Sequence, residues 1–214
     1  MSWLSIYNSW GIVIVLVSLF FWDMGGVAVF LAYILFSIVY LLKEVGFSVR
    51  HYSSGFWLFI LTEVIAFFSL FATCLWYEAY SGGSISAFIE LPFLGCFILI
   101  GSSILITAYH HSLGYNYSSY LLLSTILLGF CFVILQLYEF YDCDCGLLYS
   151  VYYAAAFCTV GLHFTHVFLG LVVLSVILYL GVYTISQYYV DLAVWYWHFV
   201  DYIWLLVYIV VYLS

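Results

Sequence analysis

The feature that most limits what this chain can fold into is a succession of long apolar runs joined by short polar connections. The runs fall at residues 3–22, 27–42, 56–76, 92–111, 118–138, 150–181 and 195–213. A helix that crosses the hydrocarbon of a bilayer needs about 20 predominantly apolar residues. Six runs meet or approach that length, and the run at 27–42 reaches it with its flanks. The spacing predicts an all-α integral membrane protein of seven transmembrane helices with no room for an extramembrane domain.

Charge sharpens this reading. A soluble domain is about 45–50% apolar and about 25% charged, whereas this chain is 69% apolar and 6% charged, with one proline and only Lys43 and Arg50 as fixed cations. Two cations cannot neutralise a phosphate backbone, so nucleic acid is excluded as a partner. The first residues have neither the cationic region nor the Arg-rich amphipathic pattern of a targeting segment and read as a mature start. The abundance of Tyr (23) and Phe (20) and the scarcity of Pro, Lys and Arg are what a T-rich coding strand produces, which suggests an organelle genome. Four of the six cysteines lie in apolar runs as small packing residues. Cys143-Asp144-Cys145 is a loop pair that lacks the two further ligands of a structural zinc site. No phosphate-binding glycine loop and no Ser-His-Asp arrangement is present.

Both fixed cations lie near residues 43–54, and the positive-inside rule puts that segment on the inner side. The N-terminus is then inside, the acidic loops at 77–90 and 139–146 are outside, and the C-terminus is outside. Asp23-Met24-Gly25-Gly26 predicts a tight turn between the first two spans, and Pro92 suits a helix start because its missing N–H is not needed there.

Ionisable side chains inside the apolar runs are the candidate functional residues, because they are costly at membrane depth unless they face protein or water. Glu63 follows Trp57-Leu58-Phe59-Ile60-Leu61-Thr62 and lies about 10 Å into its run at 1.5 Å per residue. A carboxylate there costs roughly 3 kcal/mol on insertion scales unless it is neutral or paired. It is read either as a hydrogen-bonded packing acid or as a lipid- or proton-linked one. His163 and His166 share a stripe with Ala155, Thr159 and Gly170, and small residues on such a stripe let helices approach closely. An i, i+3 histidine pair could offer two metal ligands, with His198 and His110 the only plausible facing partners for a haem. The packing reading is preferred. Gln136 and Glu139 share a face with Gly129 and Phe132, His110-His111 caps the inner end of its run, and His198 and Asp201 are at i, i+3, read as a pair holding the last span to its neighbours.

Several stretches together resemble one family, subunit III of the haem–copper cytochrome c oxidases, mitochondrial type. They are Leu61-Thr62-Glu63-Val64 with Phe67-Phe68; Leu91-Pro92 leading to Ala108-Tyr109-His110-His111-Ser112-Leu113; Leu135-Gln136 with Tyr138-Glu139-Phe140-Tyr141; Gly161-Leu162-His163-Phe164-Thr165-His166-Val167; and Trp195-Tyr196-Trp197-His198-Phe199-Val200-Asp201. They stand in the family's order from about residue 41 onward. The resemblance implies seven helices, of which the first two (residues 1–50 with the inner loop) are set apart from a five-helix bundle (51–214) by a lipid-holding cleft. It implies a non-redox supporting subunit of the enzyme that passes electrons from cytochrome c to oxygen. The chain would carry no catalytic centre, metal or cofactor of its own, haem and copper belonging to partner subunits. Structural phospholipid is expected, with subunit I as the chief partner, subunit II and small accessory subunits beside it, in the mitochondrial inner membrane. Glu63 matches the family's intramembrane glutamate, and with Trp57, Arg50 and His51 is expected to be lipid-binding or proton-linked. His163, His166, His198, Asp201, Gln136, Glu139, His110 and His111 are expected to be helix-packing polar residues. The segment 43–54 has fewer basic residues than the family usually carries, and His163-Phe164-Thr165-His166 has bulk where the family usually has glycine. The rival readings are a transporter or channel with a polar path around Glu63, His163, His166 and Asp201, and a haem-b membrane anchor.

Overall fold

Inside a bilayer no water is present to bond a free backbone N–H or C=O, so apolar runs of this length close their hydrogen bonds within the segment as helices. The computed structural model describes residues 4–21, 23–45, 53–78, 85–86, 89–115, 117–143, 146, 148–181 and 185–213. Those residues contain seven helices and no strand: α1 Leu4–Phe20, α2 Met24–Val45, α3 Ser53–Tyr77, α4 Leu91–His111, α5 Ser118–Asp142, α6 Val151–Leu180 and α7 Gln187–Val207, whose final turn, Tyr208–Tyr212, widens into a π-helix. Arg50, His51, Asp144 and Cys145 lie outside the described residues.

Among the described residues, five helices, α3 to α7, are long and apolar enough to cross a membrane. The two N-terminal ones are apolar over the shorter segments Ile6–Ser18 and Met24–Tyr40. Length and composition therefore support five of the seven expected crossings.

Two sequence boundaries need correction. Gly25 and Gly26 do not form a turn; they lie in the first turn of α2, where Asp23 Oδ1 accepts the Gly25 N–H at 3.0 Å. A carboxylate ahead of a helix satisfies an otherwise orphan amide and suits the positive end of the helix dipole. The last helix begins at Gln187, eight residues before the apolar run at 195.

The chain divides into two compact units, Met1–His51 and Tyr52–Ser214. In the first, α1 pairs with α2 through stacked Tyr7 and Tyr33 rings, 3.9 Å apart and 5° from parallel. The Tyr33 hydroxyl donates to the Tyr7 carbonyl, and Ser37 Oγ donates to Asn8 Oδ1 at 2.6 Å. Helices in lipid gain nothing from hydrophobic transfer on meeting, so such packing and interhelical hydrogen bonds must hold them.

In the second unit α4 packs on α5, α5 on α6, α6 on α7, and α7 back on α4, while α3 lies against α6 and the π turn. The ring of four helices closes on Trp197, which is fully buried. Its Nε1–H donates to Ser102 Oγ on α4 at 3.0 Å. A Cβ added at Gly170 on α6 would come 2.9 Å from the indole, and one added at Gly129 on α5 would come 2.9 Å from the indole and 2.5 Å from Leu171. Both separations are shorter than a carbon–carbon contact allows, so glycine at these two positions is what lets the indole sit between α5 and α6. Trp204, also fully buried, meets Phe132 edge-on at 4.8 Å. The ends of α6 are marked by Ser150, whose hydroxyl accepts the Tyr153 N–H at 3.3 Å, and by Gly181 at φ 76°, a backbone state that costs glycine no side-chain clash.

Candidate functional site

Between Tyr52 and Ser214 the sequence contains no lysine or arginine, yet it holds eight of the ten acidic residues, all but Asp23 and Glu44. A buried charge must be paired or hydrogen-bonded. Each carboxyl sunk in this unit therefore depends on an imidazole, on neutral donors or on its own proton.

Glu63 finds an imidazole. His166 on α6 places Nε2 2.9 Å from Glu63 Oε2 on α3, and its Nδ1 lies 2.7 Å from the Leu162 carbonyl. A carbonyl only accepts, so Nδ1 carries a hydrogen. If the imidazole is neutral, Nε2 is the acceptor and Glu63 is the donor; if Nε2 is protonated, Glu63 is a carboxylate. Either way the pair holds one shared proton and no net charge. The side chains are 9% and 23% exposed, so the contact sits at the edge of the bundle with Glu63 toward the outside. Tyr196 packs beside it, its hydroxyl donating to the His166 carbonyl at 3.4 Å. Phe67, fully buried, lies 5.4 Å from the imidazole ring.

Glu139, buried on α5, is met by neutral donors: Ser86 Oγ at 2.7 Å to Oε1 and Gln136 Nε2 at 2.7 Å to Oε2. At the end of α4, His110 Nε2 meets Asp191 Oδ1 on α7 at 2.8 Å, with both side chains about a third exposed at 34% and 30%. His111 is exposed, its ring 6.0 Å from that of His110 and nearly perpendicular to it. Two histidines adjacent on a helix point about 100° apart, so only one of them can reach α7.

The i, i+3 pairs part company. His163, fully buried, turns to α7 and puts Nε2 3.1 Å from the Val200 carbonyl, whereas His166 turns to α3. His198 and Asp201 both face α4 but do not bond each other. His198 Nδ1 lies 2.9 Å from Ser103 Oγ and Nε2 3.3 Å from Thr107 Oγ1, and Asp201 Oδ1 is 3.5 Å from Ser102 Oγ. Glu63 and His166 thus join α3 to α6, His163 turns to α7 and Asp201 turns to α4. Among the described residues no three His, Cys, Asp or Glu side chains gather closely enough to hold a metal ion. Cys143 Sγ instead donates to the Ile85 carbonyl at 3.6 Å.

Trp57 is exposed on α3 and its ring lies 5.4 Å from that of Trp195. Near it an apolar cavity of about 690 Å³ opens between α3, α6 and α7, with Phe56, Phe59, Val172, Val176, Tyr189 and Tyr196 among its walls. Its size is that of a small-ligand site.

Sequence reasoning missed Asp191, Ser86, Ser102 and Ser103 as partners. One signal was available for Asp191: it lies seven residues before His198, and so on the same helical face.

An all-helical architecture with five membrane-length apolar helices among the described residues is that of an integral membrane helical protein. The sequence model of the family described as cytochrome c oxidase subunit III matches residues 11–214, and the chain belongs to that family. It is similar to cytochrome c oxidase subunit 3 of Drosophila melanogaster, 36% identical over 182 aligned positions that cover 74% of this chain and 67% of the relative. It is similar also to the Spodoptera frugiperda protein of that name, 36% identical over 130 positions covering 58% of this chain and 88% of the relative, and to that of Rattus norvegicus, 37% identical over 131 positions covering 58% and 50%.

Proposed function

We propose that the chain is a structural, non-redox subunit of cytochrome c oxidase, complex IV of the respiratory chain, embedded in the mitochondrial inner membrane. The observation that carries this is the family match over residues 11–214. The internal chemistry supports the same reading. Glu63 with His166, His163 with the Val200 carbonyl and His110 with Asp191 join neighbouring helices, which is what a bracing subunit requires.

Finer features belong to the same proposal. All seven helices cross the membrane, with the N-terminus on the matrix side and the C-terminus on the intermembrane-space side, as Lys43 and Arg50 near the inner loop favour. The catalytic subunit I is the chief partner, with subunit II and small accessory chains beside it. Haem and copper reside in those partners and not on this chain. The chain holds structural phospholipid, with Glu63, Trp57, Arg50 and His51 as its lipid-binding or proton-linked residues. The apolar cavity beside Phe56 and Phe59 supports an affinity for acyl chains. Glu63, partly exposed and sharing one proton with His166, is suited to sustaining proton uptake by the complex.

Gentle solubilisation followed by identification of the companions tests this. A haem–copper catalytic subunit and retained phospholipid are expected to travel with the chain through purification. Companions that include no haem–copper subunit would sink the proposal.

A further inference from the structure

The polar contacts between α4 and α7 form a line. Residue numbers rise along α4 as they fall along α7: Ser102 meets Asp201, Ser103 and Thr107 meet His198, and His110 meets Asp191. The two helices run antiparallel, so these contacts form a polar seam that starts at the partly exposed His110–Asp191 pair and ends at a buried carboxyl. Ten residues separate Asp191 from Asp201, a rise of about 15 Å.

Asp201 differs from the other acids of its unit. It is 4% exposed, and Oδ2 has no partner among the described residues. Its one hydrogen bond within 3.5 Å is from Ser102, whose Oγ also lies 2.8 Å from the Leu99 carbonyl, a better distance than the 3.5 Å to Asp201. The Trp197 N–H already donates to the same oxygen. Glu63 has His166, Asp191 has His110, and Glu139 has Ser86 and Gln136. No fixed cation exists in the unit to answer Asp201.

The ionisable groups on elements packed against α7 do not fill the gap. On α3, Glu63 is held by His166. On α6, His163 meets the Val200 carbonyl. On α4, His110 is held by Asp191 and Tyr109 is a phenol, as is Tyr212 on the π turn. His111 on α4 is exposed, and the imidazole on α7 itself is His198, one turn toward the exposed end, bonded through Nδ1 to Ser103. Ser103 directly follows Ser102, the Asp201 contact, on α4.

We propose that Asp201 is a buried proton-binding site, filled and emptied from the His110–Asp191 end of the α4–α7 seam through His198 and Ser103. The transfer balances in three moves. A proton arrives at His198 Nε2. The Nδ1 proton passes to Ser103 Oγ, and that hydroxyl's own proton passes to the Asp201 carboxylate. The imidazole ends neutral in its other tautomer, the serine ends as it began, and Asp201 has gained one proton. Release reverses the moves.

The test is infrared difference spectroscopy on the solubilised complex that contains the chain. Asp201→Asn is an uncharged isostere of a protonated aspartate. It is expected to assemble as the parent does and to lose one protonated-carboxyl C=O band at neutral pH. In D2O the parent band is expected to shift as its proton exchanges, and Ser103→Ala, which removes only the linking hydroxyl, is expected to slow that shift by about tenfold or more. Failure of Asp201→Asn to assemble would show that the site needs a negative charge and would overturn the proposal. So would an unchanged carboxyl band in that variant, or an exchange rate in Ser103→Ala equal to the parent's.

Discussion

Replacing Trp197 with alanine is expected to leave the five-helix unit unable to hold its four-helix ring, and the chain to be lost from the assembled complex at a temperature the parent survives. The indole touches α4, α5 and α6 from α7, through its N–H to Ser102 and its faces to Gly129 and Gly170. In soluble proteins Trp→Ala in a core costs about 3–5 kcal/mol. Helix association in lipid lacks the hydrophobic transfer part of that cost, so the low end, about 3 kcal/mol, applies here. It is carried by lost packing and by a serine oxygen left without its donor. Thermal loss of the chain from the purified complex measures this. Trp197→Phe, which keeps most of the bulk but not the N–H, is expected to fall between the two. An alanine variant as heat-resistant as the parent would mean that the ring is closed by something other than this residue.

The second large effect lies at Glu63 and His166. Removing one member of a buried pair costs roughly 3–5 kcal/mol, because the remaining group loses its only partner, whereas replacing both by apolar side chains of similar volume is often neutral. His166→Leu is therefore expected to destabilise the complex, with Glu63's partial exposure trimming the loss to about 2–3 kcal/mol, near the insertion cost of an unpaired acid. The double variant Glu63→Leu with His166→Leu is expected to recover most of it. Glu63→Gln, still able to donate to Nε2, is expected to assemble well. The cycle of single and double variants, read as thermal stability of the complex, isolates the pair energy. Lipid content and proton uptake of Glu63→Gln separate the two roles of the acid. A change in either with stability intact marks a working site, and no change in both leaves Glu63 as a brace alone.

How much of this was legible beforehand depended on range. Helix number and the identity of the buried polar residues were readable, because a run such as 56–76 has no soluble alternative and Glu63, His166 and Asp201 stand out against apolar neighbours. Partners were not readable. Residues three apart on a helix differ by about 60° around its axis. That is close enough to look like one site in sequence and far enough, inside a bundle, to face different helices. His163 and His166 diverge to α7 and α3 for this reason, and His198 and Asp201 spend their bonds on α4 and not on each other. Asp191 was hidden because Gln187, Tyr188 and Asp191 look like loop on hydropathy alone. The helix nevertheless starts at Gln187, and Asp191 gains an imidazole partner across the seam. The Gly25-Gly26 pair suggested a turn because glycine favours one locally, but a preceding Asp and a packed neighbour helix made it a helix start.

The central claim is that this chain braces helices beside redox machinery that belongs to other chains. A density map of the membrane complex purified through this polypeptide tests it most directly. The map is expected to show the chain packed on a haem–copper subunit, with the His166 imidazole against Glu63 and no metal density on its own side chains. Iron or copper held by histidines of this chain, or a particle in which it stands without a haem–copper subunit, would contradict the account.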